Sequence, residues 1–219
     1  MESVLNSSSY HETRFTFDQR REIVWRTLCS SYFNSLVSPD DHVLELGAGY
    51  GHFINNVRCG TKTAIDQWAG LLEFLKPDVE GHVGSVTDLD FLPDRSIDFV
   101  FASNLSEHLT QPDFETTLLQ LKRKLRPGGS LNILQPNYRR AYREYFDDYT
   151  HVSIYSDVSM CDFLSANGFR VIQSIPGFLP FSIKASKGKT PPWLIDLYLR
   201  SPWKPFAKQM FIRAEVQDR

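Results

Sequence analysis

Cysteine is scarce in this chain, whose 219 residues include only Cys29, Cys59 and Cys161. An odd number at such wide spacing fits neither a disulfide framework nor a zinc knuckle. No stretch reaches the roughly 18 uninterrupted apolar residues that a membrane-spanning helix needs. Residues 1–13 show no basic start followed by an apolar run, so no secretory signal is expected. These absences favour a protein of the reducing cytoplasm.

An excess of charge of either sign is also missing. The 24 basic and 26 acidic side chains leave a formal net charge of −2, which provides no electrostatic basis for binding a nucleic acid. The 42% of hydrophobic and 13% of aromatic residues are enough to bury a sizeable core. We therefore expect one globular domain over residues 1–219, with no nucleic-acid partner.

The hydrophobic pattern predicts strands that alternate with helices. Apolar residues at four-residue steps predict a helix over 18–37, and a short apolar run predicts a buried strand over 42–46, followed by a glycine turn and another helix. Further strands are predicted over 62–65, 97–103, 130–134, 169–178 and 209–216, and further helices over 67–76, 114–125 and 156–167. Such alternation indicates a parallel sheet covered on both faces.

The glycine turn is the first functional signal. Its spacing, Gly47-x-Gly49-x-Gly51, differs from the dinucleotide-binding pattern, whose third glycine would fall on His52. Open parallel sheets bind ligands at the carboxyl ends of their strands, where glycines allow close approach. Asp66 ends the second strand at the distance typical of a ribose-binding carboxylate. A purely structural turn and a solvated aspartate are the alternatives at this point.

Four ordered motifs resemble those of the class I S-adenosylmethionine-dependent methyltransferases, and they lie in residues 43–51, 88–98, 103–109 and 121–134. The resemblance implies an α/β, Rossmann-like fold: a mostly parallel seven-stranded sheet with helices on both faces and an antiparallel last strand. It implies S-adenosylmethionine as cofactor and S-adenosylhomocysteine as product. Asp66 would bind the ribose, and Asp88 the adenine amino group. The full set of implied cofactor-binding residues is Glu45, Gly47, Ala48, Gly49, Gly51, Asp66, Gln67, Asp88, Leu89 and Asn104.

A narrower resemblance is to methyltransferases of glycan and polysaccharide biosynthesis. It rests on residues 135–137, 147–151 and 168–169, and extends to Tyr10, Arg14 and Trp25. We expect the single domain to consist of three parts. These are a helical cap (1–40), a cofactor-binding half (41–136) and a substrate-side half (137–219) with an insertion at 180–208.

Two histidines follow strands where an acceptor should approach, His108 and His151. A sugar hydroxyl is a poor nucleophile at neutral pH, and an imidazole is a suitable general base. We expect His151 to be the base and Asp148 to orient its ring. His108 packing against a helix and His151 lying solvated in a loop are the alternatives. No metal is expected, although Asp147, Asp148 and His151 could instead hold a divalent ion, with softer ions suited better than Mg or Mn.

The leading hypothesis is methyl transfer to an oxygen of a small-molecule or glycan acceptor. If the acceptor is a carboxylate, no base is required. A nicotinamide oxidoreductase and a cofactor-binding partner protein without activity are the competing classes. A nucleic-acid methyltransferase is disfavoured because residues 104–107 do not form an Asn-Pro-Pro-aromatic motif. The aromatic segment 192–206 would pack as a lid or homodimer contact, or lie on an anionic membrane.

Overall fold

The computed structural model describes residues 17–180 and 191–217. The strands are β1 (His42–Leu46), β2 (Thr61–Asp66), β3 (Glu80–Val83), β4 (Ile97–Ser103), β5 (Leu125–Pro136), β6 (Phe169–Pro180) and β7 (Ala207–Val216). The helices in the same ranges are α1 (Gln19–Ser31), α2 (Leu71–Phe74), α3 (Gln111–Lys124), α4 (Tyr138–Ala141), α5 (Asp157–Ala166) and α6 (Pro192–Arg200).

The seven strands form one sheet in the order β3-β2-β1-β4-β5-β7-β6. Strands β1 to β5 pair in parallel, and β7 is antiparallel to both β5 and β6. The predicted fold class, a mostly parallel seven-stranded sheet with an antiparallel last strand, is confirmed.

Two hydrophobic clusters lie on opposite faces of the sheet. Successive strand residues point to opposite faces, so that Leu44 and Val100 enter one cluster with side chains of α3 and α5. Their neighbours Val43 and Phe101 enter the other cluster, with side chains of α1 and α6. Because helices cover both faces, these strands read as nearly continuous apolar runs in the sequence.

Capping residues account for the starts of the long helices. The Asp18 carboxylate accepts the Arg20 backbone N–H, and the Thr110 hydroxyl accepts the Asp113 N–H. Ser156 begins α5 through a reciprocal capping box with Ser159. Such side chains satisfy backbone donors that have no partner within the helix.

Several predicted elements differ from the observed ones. The first helix ends at Ser31 and is followed by a 3-10 turn, Phe33–Ser35. Turns rather than a regular helix follow the glycines over residues 49–56, and the helix predicted over 67–76 shortens to α2. The strand β3 was not located from the sequence because its residues are exposed or half-buried and form no apolar run.

The segment predicted as an insertion, 180–208, joins β6 to β7. Its residues 181–190, and the N-terminal Tyr10 and Arg14, lie outside the described residues. Helix α6 buries Ile195 in the cluster that contains α1, whereas Trp193 and Leu197 are exposed. Within the described ranges, no helix has the length and apolar character that crossing a bilayer demands.

Candidate active site

The carboxyl ends of β1 and β4 lie side by side at the centre of the sheet. Strand β1 continues to β2 on one side, and β4 to β5 on the other. The chain therefore leaves these two strands in opposite directions, which opens the crevice where doubly wound sheets bind their ligands. Gly47 follows β1, and Asn104 follows β4.

The predicted glycine turn takes a backbone shape that favours glycine. Gly47, Gly49 and Gly51 have φ values of 63°, 53° and 64°, in the left-handed region. A Cβ on Gly47 would lie 2.8 Å from a methyl carbon of Leu105, and a Cβ on Gly51 would lie 2.8 Å from one of Leu75. The loop thus packs so closely against Leu105 and Leu75 that only glycine fits at these two positions. Ala48, between the glycines, is buried.

Asp66 connects this loop to the end of β2. Its Oδ2 accepts the Gly49 N–H at 2.8 Å, and its Oδ1 accepts the Trp68 N–H at 2.8 Å. Each carboxylate oxygen has a second lone pair that can accept from a ligand hydroxyl. Asp66 is half-buried and Gln67 next to it is exposed, and their contacts with a cofactor stay predictions.

Glu45, on β1, holds the backbone that follows the glycine loop. Its side chain is buried, and Oε2 accepts the Ile54 N–H at 2.9 Å. Burial raises the pKa of this carboxyl well above its ordinary value. Glu45 therefore fixes the backbone that follows the glycines, and its direct contact with a cofactor stays a prediction.

The expected adenine-side residues differ in their exposure. Asp88 is exposed, and its Oδ1 accepts the Asp90 N–H at 3.1 Å. Leu89 is wholly buried in the core, so the contact predicted for this residue would have to be made by its backbone.

Asn104 adopts a left-handed conformation with φ 50°, which asparagine tolerates better than most residues. Its backbone N–H donates to the Leu134 carbonyl at 2.8 Å, and its Oδ1 accepts from Gln209 Nε2 at 2.9 Å. Gln209, on β7, was missed in the sequence because it is 105 positions away.

The expected catalytic residues meet beside the turn that follows β4. The ring centroids of His108 and His151 lie 4.8 Å apart. Thr150, which sequence reasoning missed, lies between Asp148 and His108: its hydroxyl donates to Asp148 Oδ1 at 2.6 Å and lies 2.9 Å from His108 Nδ1. Asp148 therefore reaches His108 through Thr150, and its predicted effect on His151 stays a prediction.

The charge states follow from burial and from these bonds. Burial and the nearby His151 lower the pKa of His108 to about 4, so this ring is neutral at pH 7. Burial raises the pKa of Asp148, but the hydrogen bonds from Thr150 and the nearby rings of His108 and His151 together outweigh it, so the net shift is downward. Asp148 is thus ionised at neutral pH.

Glu107, adjacent to His108, was also missed by sequence reasoning. Its side chain is 0% exposed, and burial raises the pKa of its carboxyl to about 8. Its backbone carbonyl accepts the Val152 N–H at 2.9 Å and the Ser153 N–H at 3.1 Å. These two bonds hold the loop that carries Thr150 and His151 against the turn after β4.

Comparison with known proteins is consistent with this architecture. Residues 44–133 match the family model described as a methyltransferase domain. The chain is 32% identical over 151 residues to the malonyl-acyl-carrier-protein O-methyltransferase of Methylococcus capsulatus, a match that covers 62% of this chain and 54% of that protein. The chain thus spans about half the length of this curated relative.

Solved structures share the fold at low sequence identity. A SAM-dependent methyltransferase from Archaeoglobus fulgidus has a TM-score of 0.68 at 18% identity, over 95% of this chain and 99% of that one. A geranyl diphosphate C-methyltransferase from Streptomyces coelicolor, solved with Mg²⁺, geranyl diphosphate and S-adenosylhomocysteine, has a TM-score of 0.61 at 13% identity, over 85% and 76%. The match to the methyltransferase-domain model thus covers residues 44–133, and the chain has the Rossmann-like fold of the class I S-adenosylmethionine-dependent methyltransferases.

Proposed function

We propose that this protein transfers a methyl group from S-adenosylmethionine to an oxygen atom of a small-molecule or sugar acceptor. The observation that carries the proposal is the polar cluster of His108, Asp148, Thr150 and His151 beside the carboxyl end of β4. The glycine loop follows β1, the neighbouring strand, so a cofactor site and a group able to accept a proton share one edge of the sheet.

The residues present fit the cofactor. Gly47 and Gly51 present backbone without a side chain at the carboxyl end of β1, and Asp66 presents acceptor oxygens at the end of β2. Asp88 and the backbone of Leu89 would bind the adenine, and Asn104 would border the methionine part. When bound, S-adenosylmethionine supplies an electrophilic methyl group on a good leaving group, so the protein mainly has to align the acceptor and exclude water.

His151 would accept the proton that the acceptor hydroxyl loses. It is half-buried, and it packs against His108 and against the buried ring of Tyr145, at centroid distances of 4.8 Å and 4.7 Å. These contacts restrict the orientation of the ring, as a positioned base requires. Asp148 and Thr150 would orient the ring of His108, and this ring would line the acceptor site beside His151.

A carboxyl acceptor is the second candidate. The relative from Methylococcus capsulatus is named as an O-methyltransferase of malonyl-acyl-carrier protein, and a malonyl group carries a free carboxyl group. A carboxylate is already ionised at neutral pH, so His151 would then position the acceptor without taking a proton.

Cofactor binding is tested by calorimetric titration with S-adenosylmethionine, S-adenosylhomocysteine and NADH. We expect the two sulfur nucleotides to bind and NADH not to bind. Asp66→Ala should weaken binding about tenfold or more, since hydrogen bonds to a charged group contribute about 1.5–3 kcal/mol. Asp90→Ala, at an exposed carboxylate, is the matched control. Binding of NADH alone would favour the oxidoreductase class.

The class of acceptor is tested with hydroxyl-bearing sugars and with carboxylic acids as substrates. For each class, the turnover and KM of His151→Ala are compared with those of the unmodified protein. For a hydroxyl acceptor, loss of a general base should lower turnover by about 10²-fold or more at saturating cofactor. For a carboxyl acceptor, the same variant should mainly raise KM. Near-normal turnover and KM with every accepted substrate would remove His151 from the mechanism.

A further inference from the structure

Three side chains that can ligate a metal converge between the turn after β4 and the loop before α5. One ligand atom each from Glu107, His108 and His151 lies within 4.8 Å of the others. Ligands of one tetrahedral ion with bonds of about 2.1 Å are about 3.4 Å apart. Side-chain shifts of roughly 1 Å would therefore bring the three atoms onto a common ion.

The carboxyl group of Glu107 is the observation that points to a ligand. The side chain is fully buried, and neither Oε1 nor Oε2 has a hydrogen-bond partner among residues 17–180 and 191–217. A buried carboxyl group without a hydrogen-bond partner stays protonated unless it is paired or coordinates a metal. A cation at this position would provide the partner that the protein does not.

His108 is oriented as a metal ligand would be. Its Nδ1 lies 3.3 Å from the Thr150 carbonyl oxygen and 2.9 Å from the Thr150 hydroxyl oxygen. A carbonyl oxygen only accepts, so Nδ1 carries the hydrogen and Nε2 carries the lone pair. Ligating histidines usually donate their other ring N–H to a carbonyl or carboxylate. Here the Thr150 hydroxyl in turn donates a hydrogen bond to Asp148 Oδ1 at 2.6 Å.

We propose that Glu107, His108 and His151 bind one divalent transition-metal ion of the Zn²⁺ or Fe²⁺ type. Two imidazoles and one carboxylate suit these ions better than Mg²⁺, and three protein ligands leave a coordination position open. The site replaces the sequence expectation of no metal, and Glu107 takes the place of the carboxylates first considered. Metal binding by the protein alone does not depend on the proposed acceptor. While the ion is bound, however, His151 could not also accept the acceptor's proton, because its lone-pair nitrogen would be coordinated.

The test is a titration of chelator-treated protein with ZnCl₂, followed by calorimetry, in the absence of cofactor and acceptor. We expect one saturable site, and we expect Co²⁺ at the same site to show the visible absorption of a coordinated ion. Glu107→Gln keeps the size of the side chain but weakens the ligand, and should lower the affinity at least tenfold. His151→Gln should do the same, so the conclusion does not depend on one variant folding well.

His82→Gln is the matched control, because His82 Nε2 lies 2.9 Å from Glu80 Oε1 in another histidine–glutamate pair. Its affinity for Zn²⁺ should equal that of the unmodified protein. Absence of saturable binding to the unmodified protein would overturn the proposal. An affinity for Zn²⁺ that survives both Glu107→Gln and His151→Gln would also overturn it, whether or not His82→Gln changes that affinity. Since no methyl transfer is measured, failure here leaves the proposed function untouched, and failure of catalysis leaves the metal site untouched.

Discussion

The Nδ1 of His108 donates to Thr150, whose hydroxyl oxygen lies 2.9 Å away. Because that hydroxyl gives its one hydrogen to Asp148 at 2.6 Å, it can only accept from the ring. The tautomer of His108 is therefore determined by a threonine and an aspartate, and Nε2 keeps its lone pair.

Thr150→Val removes the hydroxyl while preserving the shape of the side chain. Loss of one hydrogen bond costs about 1 kcal/mol, and the ring of His108 would keep only the longer bond to the Thr150 carbonyl. We expect kcat to fall roughly fivefold with little change in the KM for S-adenosylmethionine. Thr150→Ser, which restores the hydroxyl, should recover most of the rate. Equal rates for the valine and serine variants would contradict a positioning role.

Gly47→Ala should destabilise the protein and weaken cofactor binding. A residue with a Cβ pays about 1–2 kcal/mol in the left-handed region, and here the new Cβ would also displace Leu105. Gly128→Ala is the matched control, because Gly128 has φ 78° but nothing within 4 Å of the added Cβ. Urea denaturation should show a larger loss for Gly47→Ala, and only that variant should alter S-adenosylmethionine affinity. Equal losses of unfolding free energy in the two variants would mean that Leu105 can move aside without destabilising the fold.

The ion pair between Lys124 and Asp94 predicts a pH-dependent stability. Lys124 is buried, and its Nζ donates to Asp94 Oδ1 at 2.8 Å and to the Leu92 carbonyl at 2.7 Å. The hydrogen bond from Lys124 holds the pKa of Asp94 below its ordinary value. The ion pair therefore stabilises the fold fully at pH values above the ordinary carboxyl pKa. This stabilisation is lost as the pH falls through the lowered pKa that Asp94 has in the folded protein.

Asp94→Asn should therefore lower the free energy of unfolding at pH 7, and the difference should vanish in acid. Asp90→Asn is the control, since its carboxylate lies 4.0 Å from Lys124 Nζ and should matter less. Chemical denaturation across a pH series measures both variants. A deficit for Asp94→Asn that is constant with pH would show that the ion pair does not stabilise the fold.

The docking of α6 depends on Ile195. This side chain is 8% exposed and packs in the cluster that includes α1, so Ile195→Ala should cost about 2–3 kcal/mol in the free energy of unfolding. Leu197→Ala on the same helix, at a side chain 57% exposed, should cost less than about 0.5 kcal/mol. Thermal unfolding would show the difference, and similar losses for both variants would mean that α6 is not docked as described.

The segment 192–206 exposes large aromatic side chains, with Trp193, Trp203 and Phe206 at 67%, 78% and 83%. Aromatic side chains in such positions are typical of membrane-surface contacts. We predict that the protein floats with anionic vesicles and that Trp203→Ser combined with Phe206→Ser abolishes flotation. If the protein stays at the bottom of the gradient while the vesicles float, the segment 192–206 does not bind anionic membranes.

Long strands and helices could be predicted from the sequence, but the short edge strand β3, the short helix α2 and the turns could not. The strands β1, β4 and β7 are apolar because both of their faces are covered, and such runs are visible in sequence. The edge strand β3 and the short helix α2 carry no comparable signal. Gly81 also weakens the strand pattern of β3.

The sequence by itself determined the alternation of strands and helices, the glycine loop and the place of Asp66 at a strand end. These features depend on neighbours a few positions apart, whose spacing follows from backbone geometry. Only the tertiary structure decided that Asp148 reaches His108 through Thr150 and that Glu107 is buried beside both histidines. His108 and Thr150 are 42 positions apart, and their contact arises from the packing of the loop before α5 against the turn after β4, which no local pattern encodes.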